Sequence, residues 1–144
     1  RNDLARCCET GSIKVEELFG IYSFATVHQM ISTVTGRVKA EFNFDTILQN
    51  TFPMGSMTGA PKIEAMKLIE QFEEVKRGWF SGSIGYLSPD GDFDLNVVIR
   101  TLIYNASTGY LSLQTGGAIT IDSVPELEYQ ESLLKAEAWM KLLS

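Results

Sequence analysis

The sequence has few of the features that mark nucleic-acid binding, membrane insertion or disulfide formation. Its 12 lysines and arginines are outnumbered by 18 aspartates and glutamates, giving a net charge of −6, so we expect no nucleic-acid partner. No apolar run approaches the roughly 20 residues that span a bilayer, and we expect neither a signal peptide nor a membrane contact. The only cysteines, Cys7 and Cys8, are adjacent, which predicts reduced thiols and a cytoplasmic protein.

The remaining composition is that of a globular domain with a core. The 144 residues are 44% hydrophobic and 21% charged. Periodicity and turn residues predict an α+β fold, an antiparallel β-sheet packed with α-helices. The chain begins at Arg1 rather than at a methionine, and we expect it to be part of a longer protein. Helices are predicted at 2–9, 42–52, 61–74 and 124–143, and strands at 12–35 (two, with a break near Gly20), 81–87, 92–104 and 110–115, resuming at 118–121.

Residues 51–62 form a cluster rich in loop-forming residues. The segment contains two prolines, two glycines and three hydroxyl residues, and a helical pattern follows at once. Backbone N–H and hydroxyl donors on a helix N-terminus favour anion binding, which makes Gly55 and Ser56 candidates. An ordinary capped helix start explains the same spacing equally well.

Two other segments offer groups for a carboxylate. Arg100 falls within the predicted strand 92–104, between Val98 and Leu102, and we expect it to have a carboxylate partner. Gly116 and Gly117 expose successive N–H groups, which suits a carboxylate site but also a β-bulge.

The last helix carries an acidic pair. Leu127, Leu134, Ala138 and Leu142 define its expected buried stripe, and Glu131 falls on that stripe. Glu128 precedes Glu131 by three positions, so both carboxylates can reach one Mg²⁺ ion, with water and substrate oxygens completing its shell. The alternative is a surface ion pair between Glu131 and Lys135. Together with the donors above, these residues suit a small substrate with more than one carboxylate.

Six motifs resemble a known family when taken together. They lie at residues 1–4, 54–62, 82–86, 98–101, 116–119 and 122–131, and their order and spacing are similar to those of the chorismate-utilising enzymes. The likeness covers essentially the whole chain, which looks like the C-terminal portion of such a catalytic domain and implies its anthranilate synthase component I-like fold. The form Met-Thr-Gly-Ala-Pro-Lys resembles the branch that uses ammonia. The residues of the motifs at 55–59 and 116–123 are most similar to those of aminodeoxychorismate synthase component I, with anthranilate synthase component I as the alternative.

The resemblance implies an active site built from several segments. Glu131 matches the magnesium ligand and Glu128 the nearby active-site carboxylate, while Lys135 matches a lysine beside the metal. Ser56, with Gly55 next to it, matches the hydroxyl position that binds the ring carboxylate of chorismate.

The remaining matches concern the opposite end of the substrate. Arg100 matches the arginine that binds the enolpyruvyl carboxylate, and Gly116, with Gly117 beside it, the glycine whose N–H helps. His28, the only histidine, matches the active-site histidine near the departing C4 hydroxyl. Taken alone, a strand histidine is more often a packed residue than a catalyst. The implied reaction is magnesium-dependent amination of chorismate at C4, in para-aminobenzoate and folate biosynthesis, with ammonia from a glutamine amidotransferase subunit.

The sequence departs from the family pattern in two respects. Phe80 stands where many members have a tyrosine that binds the enolpyruvyl carboxylate. The resemblance implies that the family's other metal-binding glutamate lies just before the motif that starts at Arg1, and that the lysine nucleophile of aminodeoxychorismate synthases lies further upstream. We therefore expect this chain to be inactive alone, which leaves open a non-catalytic carboxylate-binding domain as a further alternative.

Overall fold

The computed structural model describes residues 1–25 and 28–144, and it divides into two compact units at Ala65. The described residues combine helices with two-stranded antiparallel sheets, so the predicted α+β class is confirmed. Among the described residues, however, the strands pair within three separate hairpins rather than in one sheet. No helix of the described part is long and apolar enough to cross a membrane.

The first unit, residues 1–65, is built around one hairpin and the buried cysteines. Cys8 makes an isolated bridge to Val38, and Cys7 is fully buried. Both thiols are free, as predicted. The elements are α1 (Leu4–Cys7), β1 (Lys14–Ser23), β2 (His28–Thr35), α2 (Phe44–Thr51), α3 (Gly55–Thr58) and the start of α4 (Lys62–Phe72).

The predicted strand break near Gly20 is wrong. Gly20 lies inside β1 and pairs with Ile31, but the register shifts on both sides of Glu17, and Phe19 takes a left-handed φ of 58°. The irregularity is thus a bulge that the strand absorbs, and β1 continues to Ser23. A Cβ at Gly20 would lie 2.2 Å from Glu17 Oε1, so a larger residue there would require the Glu17 side chain to move.

The second unit, residues 66–144, contains the other two hairpins and the long last helix. β3 pairs with β4 and β5 with β6, both antiparallel. Its elements are the remainder of α4, then β3 (Ser83–Leu87), β4 (Phe93–Val97), β5 (Leu102–Asn105), β6 (Tyr110–Leu113) and α5 (Pro125–Leu143).

The predicted strand 92–104 is two strands. The Ile99 N–H donates to the Val97 carbonyl at 2.9 Å, which closes a tight turn, and Arg100 has a φ of 51°. β4 ends at Val97, but Val98 still donates to the Gly82 carbonyl and accepts from the Ser81 N–H, so the chain leaves the β3–β4 hairpin after Val98. The next strand begins at Leu102. The strand expected to resume at 118–121 is also absent, because that segment makes no ladder and turns into α5.

The face of α5 that is covered is not the predicted one. Leu127 and Leu134 are each 68% exposed and Leu142 is 71% exposed, so the expected buried stripe faces outward, with Glu131 half exposed beside it. The partly covered side instead carries Glu128, Ser132, Lys135, Ala136 and Trp139. On this side Glu128, Lys135 and the Ser132 carbonyl form hydrogen bonds with the preceding loop.

Candidate functional site

Both carboxylates of the predicted acidic pair converge on the glycine loop before α5. A Cβ placed on Gly117 would lie 3.0 Å from Glu128 Oε2 and 3.6 Å from Glu131 Oε1. Proline in the first turn starts the helix at Pro125, and the i, i+3 spacing then places both side chains on one side. The structure thus brings the acidic pair next to Gly117, which the sequence suggested separately.

Ser123 fixes the orientation of the Glu128 carboxylate. Its hydroxyl donates to Glu128 Oε1 at 2.6 Å and accepts from the Thr120 N–H at 2.9 Å. One carboxylate oxygen of Glu128 is therefore held by the turn before the helix, and the other, Oε2, faces Gly117. The N-cap residue of α5 is Val124, which makes no side-chain cap, and Ser123 binds the Glu128 side chain instead.

Lys135 joins the helix to the glycine loop. Its ammonium donates to the Gly116 carbonyl at 2.9 Å and pairs with Glu131 Oε1 one turn earlier. In a trans peptide the C=O and the next N–H point in opposite directions, so the Gly117 N–H faces away from Lys135. Nearby, the Thr115 hydroxyl donates to the Ser132 carbonyl at 3.0 Å and holds the same loop to the helix.

These residues fit a divalent cation as part of its site. Carboxylate oxygens are the donors that Mg²⁺ prefers, and Glu128 and Glu131 present theirs toward one point. Among the described residues no group of three or more possible ligands gathers in one place. The ion pair between Glu131 and Lys135, weighed above as the alternative, is also present, with side chains 50% and 29% exposed. A cation at Glu131 would have to share that carboxylate with the ammonium or displace it.

Arg100 lies in the turn between β4 and β5. It is exposed, and its left-handed backbone separates it from the ladder of either hairpin. The next residue stabilises the turn, since the Thr101 hydroxyl donates to the Ile99 carbonyl at 2.8 Å. Arg100 thus lies in a turn rather than in a strand. Its role in carboxylate binding stays a prediction.

Phe80, which stands where many family members have a tyrosine, packs against the Arg77 guanidinium. The Arg77 guanidinium lies 5.8 Å from the centre of the Phe80 ring, and its Nη1 donates to Ser81 Oγ at 2.8 Å. Arg77 also binds Glu73 through Nε at 2.8 Å, and this hydrogen bond holds the pKa of Glu73 below its ordinary value despite partial burial. This cluster was not indicated by the sequence.

Gly55 and Ser56 begin the single helical turn α3 in the first unit. The Gly55 N–H donates to Asp3 Oδ2 at 2.8 Å, so the protein itself supplies an anion at the place where the sequence predicted an anion site. Asp3 Oδ1 is hidden from solvent and pairs with the Lys62 ammonium, which also donates to the Thr51 carbonyl at 3.3 Å.

The charge of Asp3 is stabilised by these contacts. Burial raises the pKa of Asp3, but the hydrogen bonds from Lys62 and Gly55 outweigh it, and the pKa lies below its ordinary value. Sequence reasoning missed both Asp3 and Lys62 as partners. Each belongs to a quoted motif, but no periodicity connects positions so far apart in the chain.

His28 begins β2 and is exposed. Its Nδ1 lies 3.0 Å from the Ser23 hydroxyl, opposite it in the hairpin ladder. An exposed imidazole that is oriented by one hydroxyl is available for proton transfer. Its predicted role near a departing hydroxyl stays a prediction.

Known proteins resemble this chain over nearly its whole length. A sequence model of the chorismate binding enzyme family matches residues 1–141. The chloroplastic aminodeoxychorismate synthase of Arabidopsis thaliana is 46% identical over 96% of this chain and 15% of its own length. Aminodeoxychorismate synthase component 1 of Escherichia coli (strain K12) is 42% identical over 99% of this chain and 31% of its own length.

A solved structure confirms the fold. Anthranilate synthase component I from Streptococcus pneumoniae TIGR4 superimposes with a TM-score of 0.82 at 39% identity, over 94% of this chain and 31% of that one. The chain thus spans less than a third of the length of each of these proteins.

Proposed function

The chain belongs to the chorismate binding enzyme family, and on that premise we propose that the intact protein replaces the C4 hydroxyl of chorismate with an amino group. In this reaction the C4–O bond breaks and the hydroxyl leaves as water after gaining a proton. A C–N bond forms to ammonia, which loses a proton, and the product is 4-amino-4-deoxychorismate. The identity to two aminodeoxychorismate synthases over nearly the whole chain supports this reaction.

The observation that carries the proposal is the convergence of Glu128 and Glu131 on Gly117. A dianionic substrate needs a site that is built for carboxylates, yet this loop faces two glutamates. Lys135 compensates only part of this negative charge, and a divalent cation held by Glu128 and Glu131 would neutralise the remainder that repels a substrate carboxylate. When bound there, Mg²⁺ would neutralise the ring carboxylate and help the hydroxyl to depart.

The other residues of the chain bind and orient the substrate in this proposal. Ser56 donates to the ring carboxylate, while Arg100 and the N–H groups of Gly116 and Gly117 bind the enolpyruvyl carboxylate. His28 gives a proton to the departing hydroxyl. Lys135 holds the Gly116 carbonyl and thereby sets the direction in which the Gly117 N–H points. A glutamine amidotransferase partner supplies the ammonia.

The experiment that tests the proposal is product analysis with the intact protein. Chorismate, an ammonium salt and Mg²⁺ are expected to yield 4-amino-4-deoxychorismate, and the yield should fall on addition of a chelator. Glu131→Gln should lower magnesium-dependent turnover by at least about a hundredfold, since it removes a charged ligand. Glu137→Gln is the matched control, because Glu137 also pairs with a lysine four residues later and is 49% exposed against 50% for Glu131. Equal turnover in the two variants would remove the metal assignment.

Anthranilate synthase is the second candidate. The 39% identity and the TM-score of 0.82 to such an enzyme favour it. The two reactions share the substrate but differ in the products, because anthranilate synthase releases pyruvate. Anthranilate with an equal amount of pyruvate in the same assay would therefore overturn the first candidate and support the second.

A further inference from the structure

The short helix that carries Ser56 is capped by a residue from far along the chain. The Gly55 N–H is the first of α3, and Met54, at the N-cap position, makes no side-chain cap. Asp3 fills this place with its Oδ2, 2.8 Å from the Gly55 nitrogen. A carboxylate at a helix N-terminus satisfies an unpaired donor and interacts favourably with the helix dipole. The Gly55 N–H is thereby committed to Asp3.

The same carboxylate ties the loop to the helix that follows. Asp3 Oδ1 pairs with Lys62, the first residue of α4, whose side chain is only 5% exposed. The Lys62 ammonium also donates to the carbonyl of Thr51, the last residue of α2. Two side chains thus connect the end of α2, the start of α3 and the start of α4.

The energetics of this pair favour a role beyond stability. An apolar pair of similar volume is often as stabilising as a buried ion pair, because both charges must be taken out of water. The ion pair adds directional contacts, because the carboxylate binds the Gly55 N–H and the ammonium binds the Thr51 carbonyl at defined places. Ser56 follows Gly55 directly, so its position depends on where Asp3 holds the Gly55 N–H.

We infer that Asp3 and Lys62 are a positioning pair that holds Ser56 where its hydroxyl meets a substrate carboxylate. Neither residue touches the substrate. The inference rests on the proposed function in one respect, namely that the carboxylate belongs to chorismate. The inference gives a role to Asp3 and Lys62, for which the resemblance to the family implied none.

The test uses double variants of the intact protein, because a single variant would leave one buried charge unpaired. Asp3→Ala with Lys62→Met removes both the charges and the cap, and it should raise KM for chorismate about tenfold, as expected for a lost hydrogen bond to a charged group. Because the pair acts on binding, kcat should change much less than KM. Asp3→Asn with Lys62→Met keeps an oxygen for the Gly55 N–H and should restore KM to within about threefold of wild type.

Coupling to Ser56 separates positioning from general destabilisation. Ser56→Ala should raise KM about tenfold in the wild-type background but less than about twofold in the Asp3→Ala, Lys62→Met background. Equal effects of Ser56→Ala in both backgrounds, or an unchanged KM in the first double variant, would overturn the inference. The control is Glu70→Gln with Lys76→Met, which removes an acid–lysine pair whose side chains are 72% and 75% exposed and should leave KM unchanged.

A readout that needs no substrate distinguishes the failure of this inference from the failure of the proposed function. Amide hydrogen exchange at Gly55 should be at least about tenfold faster in the Asp3→Ala, Lys62→Met variant and near the wild-type rate in the Asp3→Asn, Lys62→Met variant. If the wild-type protein does not act on chorismate, this pattern still supports the positioning pair and only the substrate is wrong. Unchanged exchange in both variants would overturn the pair itself.

Discussion

The two units each contain a carboxylate–lysine pair, in contrasting environments. In the first unit Asp3 and Lys62 are 22% and 5% exposed, and they join segments far apart in sequence. In the second unit Glu131 and Lys135 are 50% and 29% exposed and lie one turn apart on α5. The first pair also binds backbone groups of two elements, the Gly55 N–H of α3 and the Thr51 carbonyl of α2, whereas the second binds one loop carbonyl.

The difference in burial gives the two pairs different uses. A buried charge that loses its partner is costly, so the Asp3–Lys62 pair has one arrangement and holds it. An exposed pair within a helix contributes only about 0.3–0.5 kcal/mol, so Glu131 gives up Lys135 at small cost when a better partner arrives. A fixed pair suits the positioning of a loop, and an exchangeable pair suits a carboxylate that binds a cation only when substrate is present.

The sharpest way to break this comparison is to remove the lysine from each pair. Lys62→Met leaves the Asp3 carboxylate without its ammonium and should lower the free energy of unfolding of the intact protein by about 3 kcal/mol. Lys135→Met should lower it by less than about 1 kcal/mol, because Glu131 stays hydrated. Urea denaturation measures both. Similar losses in the two variants would show that burial does not distinguish the pairs.

A substitution at Gly117 tests the arrangement of carboxylates in the second unit, and its expected effect is smaller. A Cβ at Gly117 meets Glu128 Oε2 at 3.0 Å, and Ser123 holds the other oxygen of that carboxylate, so Gly117→Ala should push the Glu128 carboxylate out of place. The expected result is an apparent magnesium affinity about tenfold weaker, measured by titrating turnover with Mg²⁺.

The matched variant for this test is Gly116→Ala. No atom lies within 4 Å of a Cβ at Gly116, so this change should leave the free energy of unfolding unchanged and disturb no protein contact. An effect of Gly116→Ala on KM alone would then report on the substrate. If Gly117→Ala kept its magnesium affinity, the convergence of the two glutamates on this loop would have no functional meaning.

The contrast between the pairs also shows which contacts can be predicted from the sequence. Spacing alone predicted that Glu131 and Lys135 can meet, since i, i+4 neighbours share a helix face. Local signals likewise predicted the α+β class, most helices and the turn residues. Nothing local could predict the contact between Asp3 and Lys62, because only the folded chain brings those motifs together.

The wrong predictions have physical causes of the same kind. Arg100 and Phe19 adopt left-handed backbone conformations that are uncommon for side chains with a Cβ, so no residue signal announced the strand break or the bulge. On α5 the apolar stripe with Leu127 and Leu134 has the right period but is exposed. The covered side is instead the one that Lys135 and the Ser132 carbonyl join to the loop by hydrogen bonds, which the hydrophobic period does not reveal.

The smallest expected effect is a change in the free energy of unfolding at acidic pH. Because the pKa of Asp3 is lower in the folded protein than its ordinary value, its charge stabilises the fold fully above the unfolded pKa of about 4 and progressively less as the pH falls through the lower folded value. Asp3→Asn lacks this titration, so the difference in unfolding free energy between wild type and variant should shrink below pH 4. Glu73, whose pKa is also lowered, titrates in both proteins and cancels in the difference. A difference that stays constant from pH 7 to pH 3 would mean that the Asp3 carboxylate gains nothing from Lys62, and the two pairs would then be energetically alike.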